Sequence, residues 1–427
     1  MRCFVPSGIA LAIGLAGAVA CQQLGGLSGG VTVVGDDGGT PISETGAPVP
    51  DVASPDTAPA CTADTTSDVD NCGSCGHVCP ARTNGSPVCK AGACALACAA
   101  GFANCDADDT NGCEIRLDDD PQNCGACGRS CLGTACTKGA CGVTNIVGPF
   151  DTPTGLALDA TNVYWTSSSG TGGVFKCPRD VCTAATKLYD AAGANALALQ
   201  GTTLLWGGNQ LTRGTIAGDP SASIYASGVW GIVVDTTYAY VNDPFGVLVA
   251  RVPLAGPDAG APVYLSNDDG FSSAIAIDQG YVYFSLGGTS NLYGIARCPS
   301  GGGAYQVLLT LPQTARPSSI VVDGTSVYFA DAAAGAVRKL PKTGLADGGA
   351  PTDLLLGLAS PQRIASDGAN LFVTEQGGGR VLAVPLAGGA SVVLASGQAS
   401  PTELALDATW VYWTNHAATG GIARVPK

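Results

Sequence analysis

The chain has 427 residues, 61 of them Gly and 26 Pro, against 7 Lys, 4 Glu and 1 Met. The straight-chain residues that normally fill exposed helix positions are scarce, which argues against a helical or α/β enzyme. A hydrophobic fraction of 46% excludes wholesale disorder, and a formal net charge of -14 argues against nucleic acid or an anionic lipid surface as partner, because both select basic patches.

Ile9 to Ala20 form a 12-residue apolar stretch behind Arg2, too short for a resident membrane helix and the length of a signal-peptide core. Residues 1–20 are therefore read as an export signal. Ala18-Val19-Ala20 fits a cleavage site, and Cys21 directly after it makes the segment resemble a bacterial lipobox, which implies lipid attachment at Cys21. Residues 21–60 are rich in Gly, Pro, Ser, Thr and Asp and are expected to be an unfolded tether. The expected location is extracytoplasmic, as an outer-membrane lipoprotein or a secreted protein, with membrane contact only through the lipid.

Residues 61–142 hold fourteen of the 19 Cys. The segment Asp68-Val-Asp-Asn-Cys72-Gly-Ser-Cys75-Gly-His-Val-Cys79 recurs 52 residues later as Asp120-Pro-Gln-Asn-Cys124-Gly-Ala-Cys127-Gly-Arg-Ser-Cys131, and each copy is followed by a Cys pair, Cys89/Cys94 and Cys136/Cys141. Exported thiols oxidise, so a duplicated disulfide cassette is expected in place of a zinc site, with connectivity open. Gly76 precedes His77 after the second Cys, which excludes haem attachment. Asp106, Asp108, Asp109 and Glu114 gather oxygen donors around Gly112 as weak calcium candidates, without the spacing of an EF-hand. The NCGxCGxxC units resemble Cys-rich cassettes of surface lipoproteins predicted in Gram-negative bacteria, which supports location more than activity.

From residue 143 to 427 the sequence is periodic. Apolar runs end at Asp159, Gln200, Asp235, Asp278, Asp323, Asp367 and Asp407, spaced 41, 35, 43, 45, 44 and 40 residues apart. Five residues after each anchor comes Tyr164, Leu205, Tyr240, Tyr283, Tyr328, Phe372 or Tyr412. A third run ends in Pro in six copies, at Pro178, Pro253, Pro299, Pro341, Pro385 and Pro426, and a fourth apolar run follows. Four short strands per period predict a seven-bladed, all-β propeller behind the small disulfide-rich domain. The last unit has three runs, so the orphan run Asn145-Ile-Val147 is expected to complete it as an N-terminal closing strand. Each anchor Asp is expected to accept backbone N–H bonds in the following turn.

The repeats resemble YWTD and NHL propellers, most clearly at Val163-Tyr-Trp-Thr166 and Val411-Tyr-Trp-Thr414, although YWTD propellers have six blades. In propellers generally, ligands bind near the channel on the face carrying the loops that enter the first strand and leave the second. That geometry nominates Arg363 and Glu403 at strand entries, with Asp243, Asp331, Glu375 and Asn415 after second strands, as ligand-binding residues. Related propellers include lactonases and lyases that use a metal with His or Glu. This chain has two His, His77 and His416, and two Glu in the propeller, too few for a His-based acid–base pair. The favoured reading is a non-catalytic binding or scaffolding protein for a cell-surface protein, a glycan or a small molecule. The alternative is a calcium-type hydrolase or lyase, calcium being the one cofactor left open. No catalytic residue is assigned. Cys177 and Cys182 flank a short turn and are expected to bond, leaving Cys298 odd and buried.

Overall fold

The computed structural model describes residues 62–427, save 151, 170–171, 181, 244–247, 267–273, 288–291 and 347–348. The export signal, the tether and Cys21 lie outside the described residues. Seven four-stranded antiparallel sheets follow one another along the chain. The inner strands are Pro153–Leu158, Ala196–Gln200, Gly231–Val234, Ile275–Asp278, Pro317–Val322, Pro361–Ser366 and Pro401–Leu406. Each touches its two neighbours in turn and the seventh touches the first, so the sheets close a seven-bladed ring. The closing strand is Thr144–Phe150, paired with Gly420–Pro426 at Ile422↔Val147 and Arg424↔Thr144. It gives the last blade its outer strand, so the ring is closed by hydrogen bonds between segments almost 280 residues apart.

The alternation in the inner strands sets the blade interfaces. Leu156 and Leu158 pack with Trp165, Tyr412 and Ile422 toward the seventh blade. Ala157 faces the second blade among Tyr164, Leu204 and Trp206. In the fourth blade Ile275 and Ile277 likewise face the third, and Ala276 the fifth. The Ala lies directly opposite the aromatic of the second strand, as in Ala157↔Tyr164 and Ala276↔Tyr283, so the small side chain leaves the volume that the ring fills. Gly155 marks a close approach of two blades: a Cβ there would meet the backbone N of Leu197 at 2.6 Å.

Five anchor carboxylates, those of Asp159, Asp235, Asp323, Asp367 and Asp407, accept backbone N–H bonds of the following turn as the turn chemistry predicts. Asp278, itself paired with Tyr281 across a two-residue turn, bonds Lys342 instead. Four of the five have one partner that the spacing alone did not disclose. Asp159 Oδ1 accepts the N–H groups of Thr161 and Asn162 at 2.7 and 2.6 Å, while Oδ2 accepts the Tyr164 hydroxyl at 2.5 Å. The same hydroxyl bond recurs at Tyr240–Asp235 (2.8 Å), Tyr328–Asp323 (2.8 Å) and Tyr412–Asp407 (2.7 Å). Where the aromatic is Phe372, Lys427 lies over its ring and pairs with Asp367 at 3.3 Å.

A second recurrent device joins blade to blade. The cation two residues before the end of a third strand donates to the carbonyl just beyond the third strand of the next blade. Examples are Lys176 to Ile216 (2.9 Å), Arg251 to Ser300 (3.0 Å) and Arg424 to Arg179 (2.9 Å). The residue following the third strand then pairs with the anchor Asp of the preceding blade, as Arg179–Asp407, Lys342–Asp278 and Lys427–Asp367 do.

In the cassette, the two copies carry equivalent bridges, Cys72–Cys89 with Cys79–Cys94 and Cys124–Cys136 with Cys131–Cys141. Cys98–Cys113 and Cys105–Cys127 link the units, and Cys75 is also disulfide-bonded. The bridges are the main covalent substitute for a core too small to hold these units alone. The second copy shares one core with the propeller, where Cys131 and Cys141 pack with Phe372, Leu394 and Trp413. Arg129, buried there, donates to the carbonyls of Pro426 and Lys427 at 3.2 Å each, and to that of Cys124 at 3.1 Å. The equivalent residue in the first copy, His77, places Nδ1 2.6 Å from the Cys72 carbonyl. Cys177 is bonded to Cys182, and Cys298 is the free, buried thiol among the described residues.

Candidate functional site

Three of the inner strands begin in a strained turn. Thr152, Ser360 and Ser400, each directly before a Pro, have φ of 42, 56 and 60°, in the left-handed region that such residues rarely occupy. Their carbonyls accept the N–H groups of Ser168, Gln376 and His416, which lie just beyond the ends of the second strands, so the entry loop and the second loop of each blade are held together. The register then slips between Pro361 and Arg363 and between Pro401 and Leu404. Such a bulge re-aims the side chains of the strand start. Thr374 and Thr414 stabilise it by accepting the backbone N–H of Arg363 (3.0 Å) and Glu403 (3.1 Å).

The entries of the second, third, fifth, sixth and seventh blades line a cavity of about 620 Å³ at one mouth of the central channel. Arg363 and Glu403, 40 residues apart in sequence, meet here: Nε lies 2.8 and 2.9 Å from the two carboxylate oxygens and the terminal nitrogen 2.7 Å from Oε1. The Glu403 carboxylate raises the Arg363 guanidinium above its ordinary value. Trp230 from the third blade, 49% exposed, and His416 from the seventh complete the wall. His416 Nδ1 lies 3.3 Å from the Pro153 carbonyl. Arg316 at the rim spends one terminal nitrogen on the carbonyls of Gln313 and Ala315.

The residues nominated after second strands are placed differently. Asp331, fully buried, accepts the N–H groups of Arg316 (3.0 Å), Ala333 and Ala334 (both 3.2 Å) and pairs with Arg338 at 3.3 Å. Glu375, also buried, accepts the Ala359 N–H at 2.7 Å and is gripped by Arg380, whose bonds outweigh burial and hold the carboxyl below its ordinary value. Both carboxylates satisfy entry-loop backbone and neither lines the cavity. Asn415 donates to Gln398 at 3.2 Å and lines a separate 350 Å³ groove between the sixth and seventh blades. The backbone of Asp243 ends the second strand of its blade, and its side chain lies outside the described residues.

Sequence reasoning missed Asn195, Trp230, Ser318, Gln362 and Thr402, which line the same cavity. All five stand five residues before an anchor, a register visible in the sequence once the repeat is aligned. His416 was weighed as a catalytic group and lies in the wall as well.

In the cassette, Asp106 accepts from the Asp108 N–H and from Asn111 (both 2.9 Å), and Asp108 from the Thr110 N–H (2.9 Å) and hydroxyl (2.6 Å). Asp109 accepts from Asn104 at 2.8 Å and Glu114 from the Cys105 N–H at 3.0 Å. Among the described residues, the clusters tight enough to share an ion are Cys72/Cys79/Cys94 and Cys124/Cys131/Cys141, and every one of these sulfurs is in a disulfide.

The fold and its channel-mouth cavity define a seven-bladed propeller protein. No family model matches the chain, and no curated protein matches it in sequence. Among solved structures it is similar to virginiamycin B lyase from Staphylococcus aureus, at 15% identity over 67% of this chain and 98% of that one, with a TM-score of 0.55. A catalytically inactive variant of that lyase with quinupristin matches at the same identity and TM-score and is covered over 100% of its length. A streptogramin B lyase structure matches at 12% identity over 66% and 97% of the two chains, with a TM-score of 0.54. At these identities the likeness is one of fold. The disulfides indicate folding in an oxidising, extracytoplasmic environment, and no helix among the described residues is long and apolar enough to cross a membrane.

Proposed function

We propose that this is a non-catalytic binding protein, exported and held at the cell surface through a lipid on Cys21, that takes its ligand in the channel-mouth cavity. The observation carrying this reading is the state of the cavity's polar groups. Its carboxylate, Glu403, is already bidentate to Arg363, and His416 is the one imidazole beside it. General acid–base catalysis asks for a group free to exchange a proton at the reacting atom, and a carboxylate locked to a guanidinium is a poor one. The cassette, fused to the propeller through Arg129, would serve as a stapled stalk.

The fold likeness to streptogramin lyases motivates the second reading, a metal-assisted lyase or hydrolase acting on lactones. Incubation of the purified protein with quinupristin and simple lactones, with Mg²⁺ or Ca²⁺, separates the two. Intact ligand by mass spectrometry is the expected result. Turnover that Glu403→Gln or His416→Ala abolishes would replace the binding reading with the enzymatic one.

A further inference from the structure

The cavity's chemistry narrows the class of ligand, on the reading that the cavity binds without catalysis. Its strongest polar feature is a neutralised pair. Arg363 and Glu403 cancel in charge, yet the carboxylate retains lone pairs and the guanidinium retains N–H donors beyond those used between them. Such a pair offers donors and acceptors side by side. A hydroxyl group both donates and accepts, so adjacent hydroxyls on a ring match it, whereas a ligand carboxylate would have to displace Glu403 from Arg363.

Beside the pair stands Gln362, whose amide also offers both polarities, and across the cavity stands Asn195. Trp230 supplies the apolar element. Trp165, Trp206 and Trp413 are buried, whereas Trp230 is about half exposed and faces the cavity, a rigid amphipathic surface for the C–H face of a ring. The net charge of -14 disfavours the approach of anions over distances longer than any contact. Arg316 at the rim is the feature that would draw an anion, and one of its terminal nitrogens is committed to its own loop.

We propose that the channel-mouth cavity binds a neutral saccharide, with a sugar ring stacked on Trp230 and its hydroxyls bridging the Arg363–Glu403 pair. Tryptophan fluorescence of the full-length protein reads this directly, because Trp230 is the exposed indole in the cavity. The titrants are neutral oligosaccharides (cello-, xylo-, manno-, malto- and chito-oligosaccharides), their uronic-acid counterparts, and non-saccharide lactones as a third arm. Expected is a saturable change with at least one neutral sugar below about 10 mM. Trp230→Phe should remove most of the signal, and Trp230→Ala should weaken binding, followed by saturation-transfer NMR, at least tenfold with an unchanged thermal midpoint. The proposal is overturned if no neutral sugar responds, if Trp230→Ala binds as wild type does, or if acidic sugars bind tenfold tighter with a steep salt dependence. A lactone bound intact and lost in Trp230→Ala would keep the cavity as a binding site and remove the sugar. A sugar or lactone converted to product would remove the binding-only reading itself.

Discussion

Arg179, just beyond the third strand of the first blade, lies 3.0 Å from the Asp407 carboxylate of the last blade. Asp407 also accepts the N–H groups of Thr409 and Trp410 (2.7 Å each) and the Tyr412 hydroxyl (2.7 Å). Arg424 adds a bond from the last blade to the Arg179 carbonyl at 2.9 Å. One carboxylate thus serves a turn, an aromatic and the ring closure together. Asp407→Ala leaves the Trp410 N–H and the Tyr412 hydroxyl in part-buried surroundings, and the exposed Thr409 N–H, without their acceptor, and should cost about 2 to 4 kcal/mol in denaturant titration. Arg179→Ala, which leaves the turn bonds intact, should cost less than half of that. Equal costs would show that the ion pair, and not the turn, dominates.

The recurrent Asp–Tyr pairs predict a two-sided pH dependence. Burial alone would raise Asp159, but the Tyr164 hydroxyl and the Thr161 and Asn162 N–H groups outweigh it and hold the carboxyl at about 2; Asp235, Asp323 and Asp407 are lowered for the same reasons. A carboxylate depressed on folding contributes stability above its unfolded value of about 4 and loses it as pH falls through the folded value. Burial first, and then the carboxylate bond, push Tyr240, Tyr328 and Tyr412 up to about 12. That contribution is complete below about pH 10 and fades as pH rises toward 12. Thermal midpoints should therefore fall between pH 4 and 2 and again between 10 and 12. Asp323→Asn should flatten the acid limb, and Tyr328→Phe the alkaline limb.

Arg129 fastens the cassette to the propeller through the carbonyls of Pro426 and Lys427. Burial pushes the guanidinium down to about 10, which leaves it charged at neutral pH. Arg129→Met keeps the aliphatic bulk and removes the donors, at an expected cost of about 2 to 3 kcal/mol from carbonyls left unpaired. Limited proteolysis should then release a cassette fragment that the wild type retains. A wild-type digestion pattern would show that the apolar contacts of Cys131 and Cys141 suffice.

Cys298 is fully buried in the fourth blade, and burial raises its thiol to about 11. Alkylation of native protein should leave it unmodified, and alkylation after unfolding without reductant should mark it, while Cys177 and Cys182 remain bridged. Cys298→Ala should cost about 1 kcal/mol, because the thiol acts as a small apolar side chain.

Lipid attachment makes its own prediction. Wild type should partition into detergent and Cys21→Ala into the aqueous phase; equal partitioning would remove the anchor.

What the sequence determined by itself is what a strict spacing can carry. The aromatic or Leu five residues after each anchor recorded the second strand, the alternation at Leu156-Ala157-Leu158 recorded which interface each side chain faces, and the missing fourth run recorded the closing strand. These are properties of one unit repeated, and a repeat propagates them without reference to distant residues. The tertiary structure decided what depends on two units at once. The bulges after Pro361 and Pro401 turn Arg363 and Glu403 toward one another across a blade boundary, while Asp331 and Glu375, equally polar but at the ends of second strands, are drawn to entry-loop N–H groups. Which partner a carboxylate finds is a competition between a buried backbone donor and open solvent, and the donor wins wherever the fold brings it within bonding distance. The bridges of the cassette and the grip of Arg129 on residues almost 300 positions away belong to the same class, since no periodicity encodes a contact between a stapled unit and a blade.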